Sequence, residues 1–283
     1  MKNNDVEVIQ SLRQKEEGKI CAVPEVSIIM PSFNVAEYIS QAIESVLRQN
    51  FDSWELLIVD DGSSDLSYSI AEKYAAANDK ISLSKNQFTK GAAGARNYAI
   101  SLSRGRYIAF LDADDMWLPG KLSAQMKFIK QNNVGFCYSF VQCMNESGEP
   151  LQCYKAPSWV GLSRMKTANF VPCLTVILDT ELVGTVEQPN IKKRNDFALW
   201  LKILRENRGM KAICYEEVTA LYRINSYGLS GNRFHTIPYF RRCLVEYAHC
   251  SLLSSYFYTF IYLCISILKK KAPTQYNFFV SVF

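Results

Sequence analysis

The run RYIAFLDADDMWLP, residues 106–119, begins as an apolar stretch of β-branched and aromatic side chains. It ends in three carboxylates within four positions, Asp112, Asp114 and Asp115. An apolar run of that kind marks a strand buried on both faces. Side chains repeat every second residue along a strand, so an extended chain places Asp112 and Asp114 on one face. Two carboxylates held there repel each other and lose hydration unless a cation sits between them. A divalent ion carrying a phosphate fits that place, because hard cations take oxygen ligands and share them with substrate phosphates. The plain alternative is a solvated acidic turn after a strand, and a lone D-x-D does not exclude it.

The segments upstream narrow the choice. Residues 26–30 (VSIIM) form a first strand, which Pro31 ends because it has no N–H for a ladder; 31–34 (PSFN) is then a loop at the strand's carboxyl end. Over 36–49 the apolar residues Ile39, Ala42, Ile43, Val46 and Leu47 have helical spacing. A second buried strand, 54–59, closes on 60–65 (DDGSSD), and a helix over 66–77 follows with Ser64 or Asp65 as its N-cap. After a short third strand at 81–84, the segment 91–97 (GAAGARN) opens a helix that runs to about Leu102 and leads into the strand at 107–111. This β-α-β-α-β-α-β alternation predicts an α/β fold with a parallel sheet and helices on both faces. Ligands of such sheets bind outside the carboxyl ends of the strands, so 31–34, 60–65 and 112–115 should converge on one crevice.

That crevice has candidates for nucleotide chemistry. Asp61 can accept from the imide nitrogen of uracil, Asp112 can hold ribose hydroxyls and Asp114 a metal. Arg96 near a helix start can face a diphosphate with help from the helix dipole. The competing readings are an Asp-Gly turn with a helix cap for 60–65, and helix-to-sheet packing for Gly91 and Gly94. Two other nucleotide sites are excluded: neither G-x-G-x-x-G after the first strand nor G-x-x-x-x-G-K-[ST] occurs.

Composition sets the frame. At 283 residues and 48% apolar, the chain can bury one large core or two small ones. Its nine cysteines show no C-x-x-C spacing and only two histidines accompany them, which argues for reduced thiols of a cytosolic protein. Residues 1–25, with a short helix expected near 6–15, are polar and contain no apolar signal core, so export is not expected. Residues 1–189 hold 18 Lys+Arg against 22 Asp+Glu, whereas 190–283 hold 14 against 5. The acidic part suits a metal and the basic part an anionic partner or membrane surface.

Four segments carry a resemblance to a known family: 26–34 (VSIIMPSFN), 55–65 (ELLIVDDGSSD), 91–97 (GAAGARN) and 105–117 (GRYIAFLDADDMW). In that order, over about 26–125, they resemble the inverting glycosyltransferases of family 2 with the GT-A fold. The resemblance implies a mostly parallel nucleotide-binding sheet flanked by helices and transfer of a sugar from a nucleotide-sugar, most often a UDP-sugar, with manganese or magnesium. By match to the pattern, Pro31, Phe33 and Asp61 line the base, Arg96 faces the nucleotide and Asp114 coordinates the metal.

Inverting transfer is one in-line displacement, so a carboxylate must take the acceptor hydroxyl's proton. Residues 195–203 (NDFALWLKI) resemble the family's acidic-pair motif, in which Asp196 matches the catalytic aspartate and Asn195 replaces the first acid. The alternative is that Asp196 merely caps an amphipathic helix. Residues 218–223 (VTALYR) resemble a terminal Y-R motif that implies a diphosphate contact for Arg223; the histidine many relatives carry two residues on is Asn225 here. Segments 135–144 and 173–178 read as strands around a turn at 145–150, residues 159–170 face the acceptor, and 226–233 reads as a mobile loop over the donor.

From Cys250 to Leu268 no residue is charged, and Lys269, Lys270 and Lys271 follow. A helix there can just cross a bilayer core of roughly 30 Å. Its tyrosines, and Arg241 and Arg242 upstream, favour an anionic interface; a buried or dimer-forming helix is the other possibility. The expected division is a 1–25 extension, a 26–120 nucleotide-sugar part, a 121–235 acceptor and catalytic-base part of the same domain, and a 236–283 apolar and basic helical segment. The expected partners are a nucleotide-sugar, a glycan or lipid-linked glycan acceptor and an anionic membrane surface at the inner face of the cell membrane, with no nucleic acid. Against this stand a sugar-nucleotide pyrophosphorylase, which needs a Gly-rich basic loop after strand one where this chain has 31–34, and a non-catalytic membrane-associated nucleotide-binding partner, which has no use for Asp112, Asp114 and Asp196 together.

Overall fold

The computed structural model describes residues 23–224 and 236–282. The helix expected near 6–15, Asn225 and the loop at 226–233 lie outside the described residues. Strands β1 (Val26–Ser32), β2 (Trp54–Asp60), β3 (Ile81–Lys85) and β4 (Tyr107–Phe110) pair in parallel, in the spatial order β3-β2-β1-β4. The crossovers are α1 (Ile39–Leu47), α2 (Ser67–Ala77) and α3 (Ala92–Leu102). Both faces of this sheet are buried, and the side chains alternate between two cores. Ile28, Met30, Leu56, Ile58 and Ala109 enter one, and Ile29, Leu57, Val59, Ile108 and Phe110 the other. The strand order reverses at β1, which puts a crevice at the carboxyl ends of β1, β2 and β4.

Beyond β4 the sheet becomes mixed. Strand β5 (Met116–Trp117) and helix α4 (Lys121–Asn132) precede β6 (Phe136–Met144), with β7 (Pro150–Tyr154) and β8 (Trp159–Val160) at its margins. A single turn, α5 (Leu162–Met165), leads to β9 (Ile177–Asp179), which pairs antiparallel with both β4 and β6, and α6 (Thr180–Val183) follows. The long β10 (Ala212–Arg223) runs parallel to β6 and antiparallel to β5. One sheet therefore runs through both halves of the chain. The strand expected over 173–178 is shorter than that, because Cys173–Thr175 is a 3-10 turn. Its cause is local: the Thr175 amide and hydroxyl both donate to the Pro172 carbonyl.

Helix α7 (Asn195–Glu206) lies on the second core, with the Trp200 ring 5.8 Å from Phe110 and 5.0 Å from Phe136. Residues four apart share a helix face, so anchoring Trp200 on β4 and β6 holds Asp196 at the level of the β4 carboxyl end. After α7 come α8 (Ile237–Glu246), α9 (Leu252–Lys271) and α10 (Pro273–Val282). Phe240 on α8 stacks on Phe197 at 4.9 Å and on Tyr262 of α9 at 4.3 Å, which docks the C-terminal helices onto α7.

Candidate active site

Three strand ends build the crevice, and each is held by its own hydrogen bonds. After β1, Asn34 adopts a positive φ of 51° and its Oδ1 accepts the Ser64 amide at 2.8 Å, which stitches the β1 loop to the β2 loop. Phe33 is left 51% exposed near Pro31, an apolar platform facing solvent. After β2 the two aspartates divide. Asp60 Oδ2 accepts the Gly62 and Ser63 amides at 3.0 and 2.9 Å and so builds the turn. Asp61 points across to the α3 loop, accepting from Asn86 Nδ2 at 2.6 Å and from the Gly91 amide at 2.7 Å. The turn reading of 60–65 is thus right for Asp60, while Asp61 is oriented by residues 25 and 30 positions away. Asp65 accepts the Ser67 amide at 2.9 Å, but the N-cap position of α2 is Leu66, one residue later than the Ser64 or Asp65 expected, and its side chain makes no cap bond.

The glycines of 91–97 also separate. Gly91 has φ +113°, a backbone conformation that L side chains rarely adopt, and its amide serves Asp61. A Cβ on Gly94 would lie 1.6 Å from the Thr89 carbonyl oxygen, so that position is small for packing.

The D-x-D pair is not delivered by a strand. β4 ends at Phe110, and the Asp115 amide donates to the Asp112 carbonyl at 3.0 Å, which makes 112–115 a turn. The alternation expected of an extended chain does not apply there; the turn brings Asp114 within reach of the charge of Asp112. Asp114 shows the effect. Burial, and then the charge of Asp112, push its pKa up to about 6. Asp115 is buried, raised well above the carboxylate range by burial and its two neighbours, and accepts the Arg223 amide at 2.8 Å.

Arg223 departs from its expected place on the diphosphate. Its guanidinium is buried and donates to the backbone carbonyls of Asp114 (2.9 Å), Asn145 (3.2 Å) and Glu146 (2.7 Å) and to Gln41 Oε1 (2.8 Å), and it stacks over Tyr38 at 4.5 Å. The carbonyl groups compete for every edge of the fork, so Arg223 fixes the Asp114 turn from behind.

Arg96 lies at the centre of the crevice. It donates to Asp112 Oδ1 and, at 3.4 Å each, to Gln188 Oε1 and Asn195 Oδ1. Burial opposes its charge, and Asp112, Cys173 and Asp196 together more than offset that, so its pKa is raised. Its neighbour Asn97 exchanges two bonds with the Gln188 backbone, at 2.8 and 2.7 Å. These two side chains tie the nucleotide half to the α7 entrance.

Asp196 is in the first turn of α7, after Arg194 in the left-handed region at φ 63°. Its carboxylate does not cap the helix: Oδ2 accepts from Asn169 Nδ2 at 2.9 Å, and the Asp196 amide is taken by Asn195 Oδ1 at 2.9 Å. Asn195, standing where the motif has an acid, thus contacts both Arg96 and the Asp196 backbone. Asn169, Asn195, Asn86 and Gln188 were not singled out as site residues by the sequence reading. Only Asn195 had a signal, its place before Asp196.

Among the described residues no three His, Cys, Asp or Glu side chains are grouped as a metal site. Asp112 and Asp114 nevertheless fit a divalent ion, since one is desolvated and repelled by the other; two ligands require the remainder from a bound substrate's phosphates and water.

Comparison with known proteins agrees with this geometry. Residues 27–179 match the family model described as Glycosyl transferase family 2. The UDP-Glc:alpha-D-GlcNAc-diphosphoundecaprenol beta-1,3-glucosyltransferase WfgD of Escherichia coli is 36% identical over 245 residues, 86% of this chain and 94% of that protein. S. aureus TarS 1–349 in complex with UDP-GlcNAc superposes with a TM-score of 0.62 at 18% identity, covering 87% of this chain and 73% of that one. The mannosyltransferase PcManGT of Pyrobaculum calidifontis, in complex with GDP-Man and Mn2+, superposes with a TM-score of 0.62 at 16% identity, covering 94% and 83%. At these identities the superpositions establish the GT-A fold.

Proposed function

The chain belongs to glycosyltransferase family 2, and from that premise we propose that it moves a sugar from a UDP-sugar to a hydroxyl of a lipid-linked glycan by metal-assisted, inverting displacement. The observation that carries this reading is the convergence at α3 of three separate acidic segments: Asp61 accepts the Gly91 amide where the helix starts, and Arg96 one turn on donates to Asp112 of the 112–115 turn and to Asn195 beside Asp196. In this reading Pro31 and Phe33 pack against the uracil and Asp61 accepts its imide N–H. Asp112 holds the ribose, with Arg96 setting its orientation and presenting positive charge to the diphosphate. Asp114 would hold manganese or magnesium together with the donor's phosphates, and the ion when bound supplies charge to the leaving diphosphate.

The acceptor oxygen bonds to the anomeric carbon while the bond to the nucleoside diphosphate breaks, and Asp196 takes the hydroxyl proton. Asn169 keeps one oxygen of Asp196 in place. WfgD's name joins a UDP-sugar donor to a sugar on diphosphoundecaprenol, which supports these substrate classes.

The C-terminal helices support action at a membrane surface. Helix α9 is long and apolar enough to cross a bilayer by length and composition. Its inner face, however, carries Ser255, Thr259 and Tyr262, and Tyr262 is docked on Phe240 and accepts from Arg194. Its outer face is apolar, with Leu253 83% and Phe260 67% exposed. A helix that turns polar groups inward and Leu and Phe outward fits the interface plane better than a span or a soluble surface. Lys270 and Lys271 at its end and Arg241 before it suit anionic lipid.

The test is UDP release from a panel of UDP-sugars with manganese and a short-chain GlcNAc-diphospho-lipid acceptor. Transfer that persists in full with Asp196→Asn would remove Asp196 as the base.

A further inference from the structure

At the far end of α7 from Asp196 there is a cavity of about 970 Å³, the size of a small-molecule site. It lies between the 157–170 segment, the Gly209–Lys211 turn and helices α9 and α10. Its floor is apolar, formed by Leu162, Phe170, Leu204, Ile261, Ile265 and Phe279. Its polar rim is of one sign: Arg164, Arg205, Arg208 and Lys211 line it, and no Asp or Glu does. Two of these cations gather on one indole, with the Lys211 ammonium 4.1 Å and the Arg164 guanidinium 5.1 Å from the Trp159 ring. Burial pulls the Arg164 pKa down, so its charge is held where an anion would be welcome.

An apolar floor with a basic rim is complementary to an anionic amphiphile. We propose that this cavity holds the lipid end of the acceptor, an isoprenoid diphosphate, with the phosphates at the Arg164, Arg208 and Lys211 rim and the first isoprene units on the Leu204 and Ile261 floor. This rests on the lipid-linked acceptor reading above and extends it to a second part of the molecule.

Position supports that occupant. Asp196 and the cavity-lining Arg205 are nine residues apart on α7, about 13 Å along the axis at the helical rise, so one helix carries the base at its start and the cavity at its end. The segment that holds the base also forms the cavity: Asn169 bonds Asp196, while Thr167 and Phe170 on either side of it line the wall. Ile261 and Ile265 of the floor belong to α9, whose outer face is the apolar surface described above. A lipid-borne acceptor held by α9 at a membrane therefore has its chain beside the cavity and its sugar directed along α7.

The test uses the full chain with farnesyl diphosphate as the probe, followed by calorimetry. Farnesol, inorganic pyrophosphate and a short-chain phosphatidylglycerol are the comparison ligands. Arg208→Glu with Lys211→Glu changes two exposed side chains outside the catalytic crevice, and Ile265→Trp fills the cavity from a half-buried position. Saturable binding of farnesyl diphosphate is expected, tighter than for all three comparison ligands and weakened roughly 10- to 100-fold by the charge reversal, as the loss of two charged contacts implies. Both variants should raise KM for the lipid-linked acceptor while UDP binding and thermal stability stay at the wild-type values.

Equal binding of phosphatidylglycerol would overturn the isoprenoid assignment in favour of bulk lipid. Farnesyl diphosphate binding that neither variant weakens would overturn the site. Binding that behaves as expected in a protein that transfers no sugar to any lipid-linked acceptor would refute the substrate reading and leave the site standing; acceptor turnover with no probe binding would do the reverse.

Discussion

Replacing Arg223 by Met tests whether this residue holds the 112–115 turn or faces the donor. Met fills similar space without a donor, so three backbone carbonyls, those of Asp114, Asn145 and Glu146, lose their partner together with Gln41. A buried acceptor left unsatisfied costs about 1–3 kcal/mol. Glu146 is exposed and Asn145 half-buried, so water replaces part of the loss there, while the Asp114 carbonyl sits at a buried turn. The sum is about 3–5 kcal/mol, including the lost stacking on Tyr38. For a chain of this size that corresponds to a fall in Tm of roughly 10 °C. Differential scanning fluorimetry reads the stability, and calorimetry without metal compares UDP with UMP. A residue that locks the turn lowers Tm and leaves the ratio of UDP to UMP affinity as it was. An unchanged Tm with a collapsed UDP preference would refute the reasoning and return Arg223 to the diphosphate.

Four further outcomes are expected. Asp196→Asn keeps UDP binding and loses about 10²–10⁴-fold in kcat; a loss confined to donor affinity would make it a binding residue. Asp114→Ala removes the manganese dependence of UDP binding together with transfer, and unchanged metal titration in that variant would sink the assignment. Lys121, buried and bonded to Gln125 Oε1 at 2.6 Å, has its pKa pulled down to about 7 by burial. Between that value and the unfolded pKa near 10.4 the unfolded state binds the extra proton, so stability rises with pH by roughly 1.4 kcal/mol per unit, and the advantage of Lys121→Met is largest near pH 7 and shrinks toward pH 10 in denaturant titrations. Leu253→Ser with Phe260→Ser removes two outward side chains worth about 1.5–3 kcal/mol each when fully buried, so co-sedimentation with anionic vesicles should weaken about 100-fold at unchanged Tm; equal sedimentation would count against the interfacial face.

Much of what depends on neighbours in the chain was legible before the fold, the turns at 112–115 and 173–175 being local features that were not. The apolar runs of β1, β2 and β4, the helical spacing of α1 and the punctuation by Gly62 and the aspartates are local signals, and they place three strand ends, two of them acidic, at one sheet edge. Pro31 does not end β1 at residue 30 as expected, since the strand runs through it to Ser32. The family resemblance lives in the same contiguous segments, and Asp196 was recoverable because its motif is contiguous too. What the chain order could not show is partnership across it. Arg96 meets Asp112 over 16 positions, Asn169 meets Asp196 over 27, and Arg223 reaches the Asp114 carbonyl over 109. An arginine written beside a nucleotide motif looks the same whether it faces phosphate or a buried row of carbonyls, because its five donors accept either and packing alone chooses. The same holds for 250–268: composition allows a span, a core helix or a surface helix. Only the docking of Tyr262 on Phe240 and Arg194 shows that the polar side is turned inward and the apolar side left to the outside.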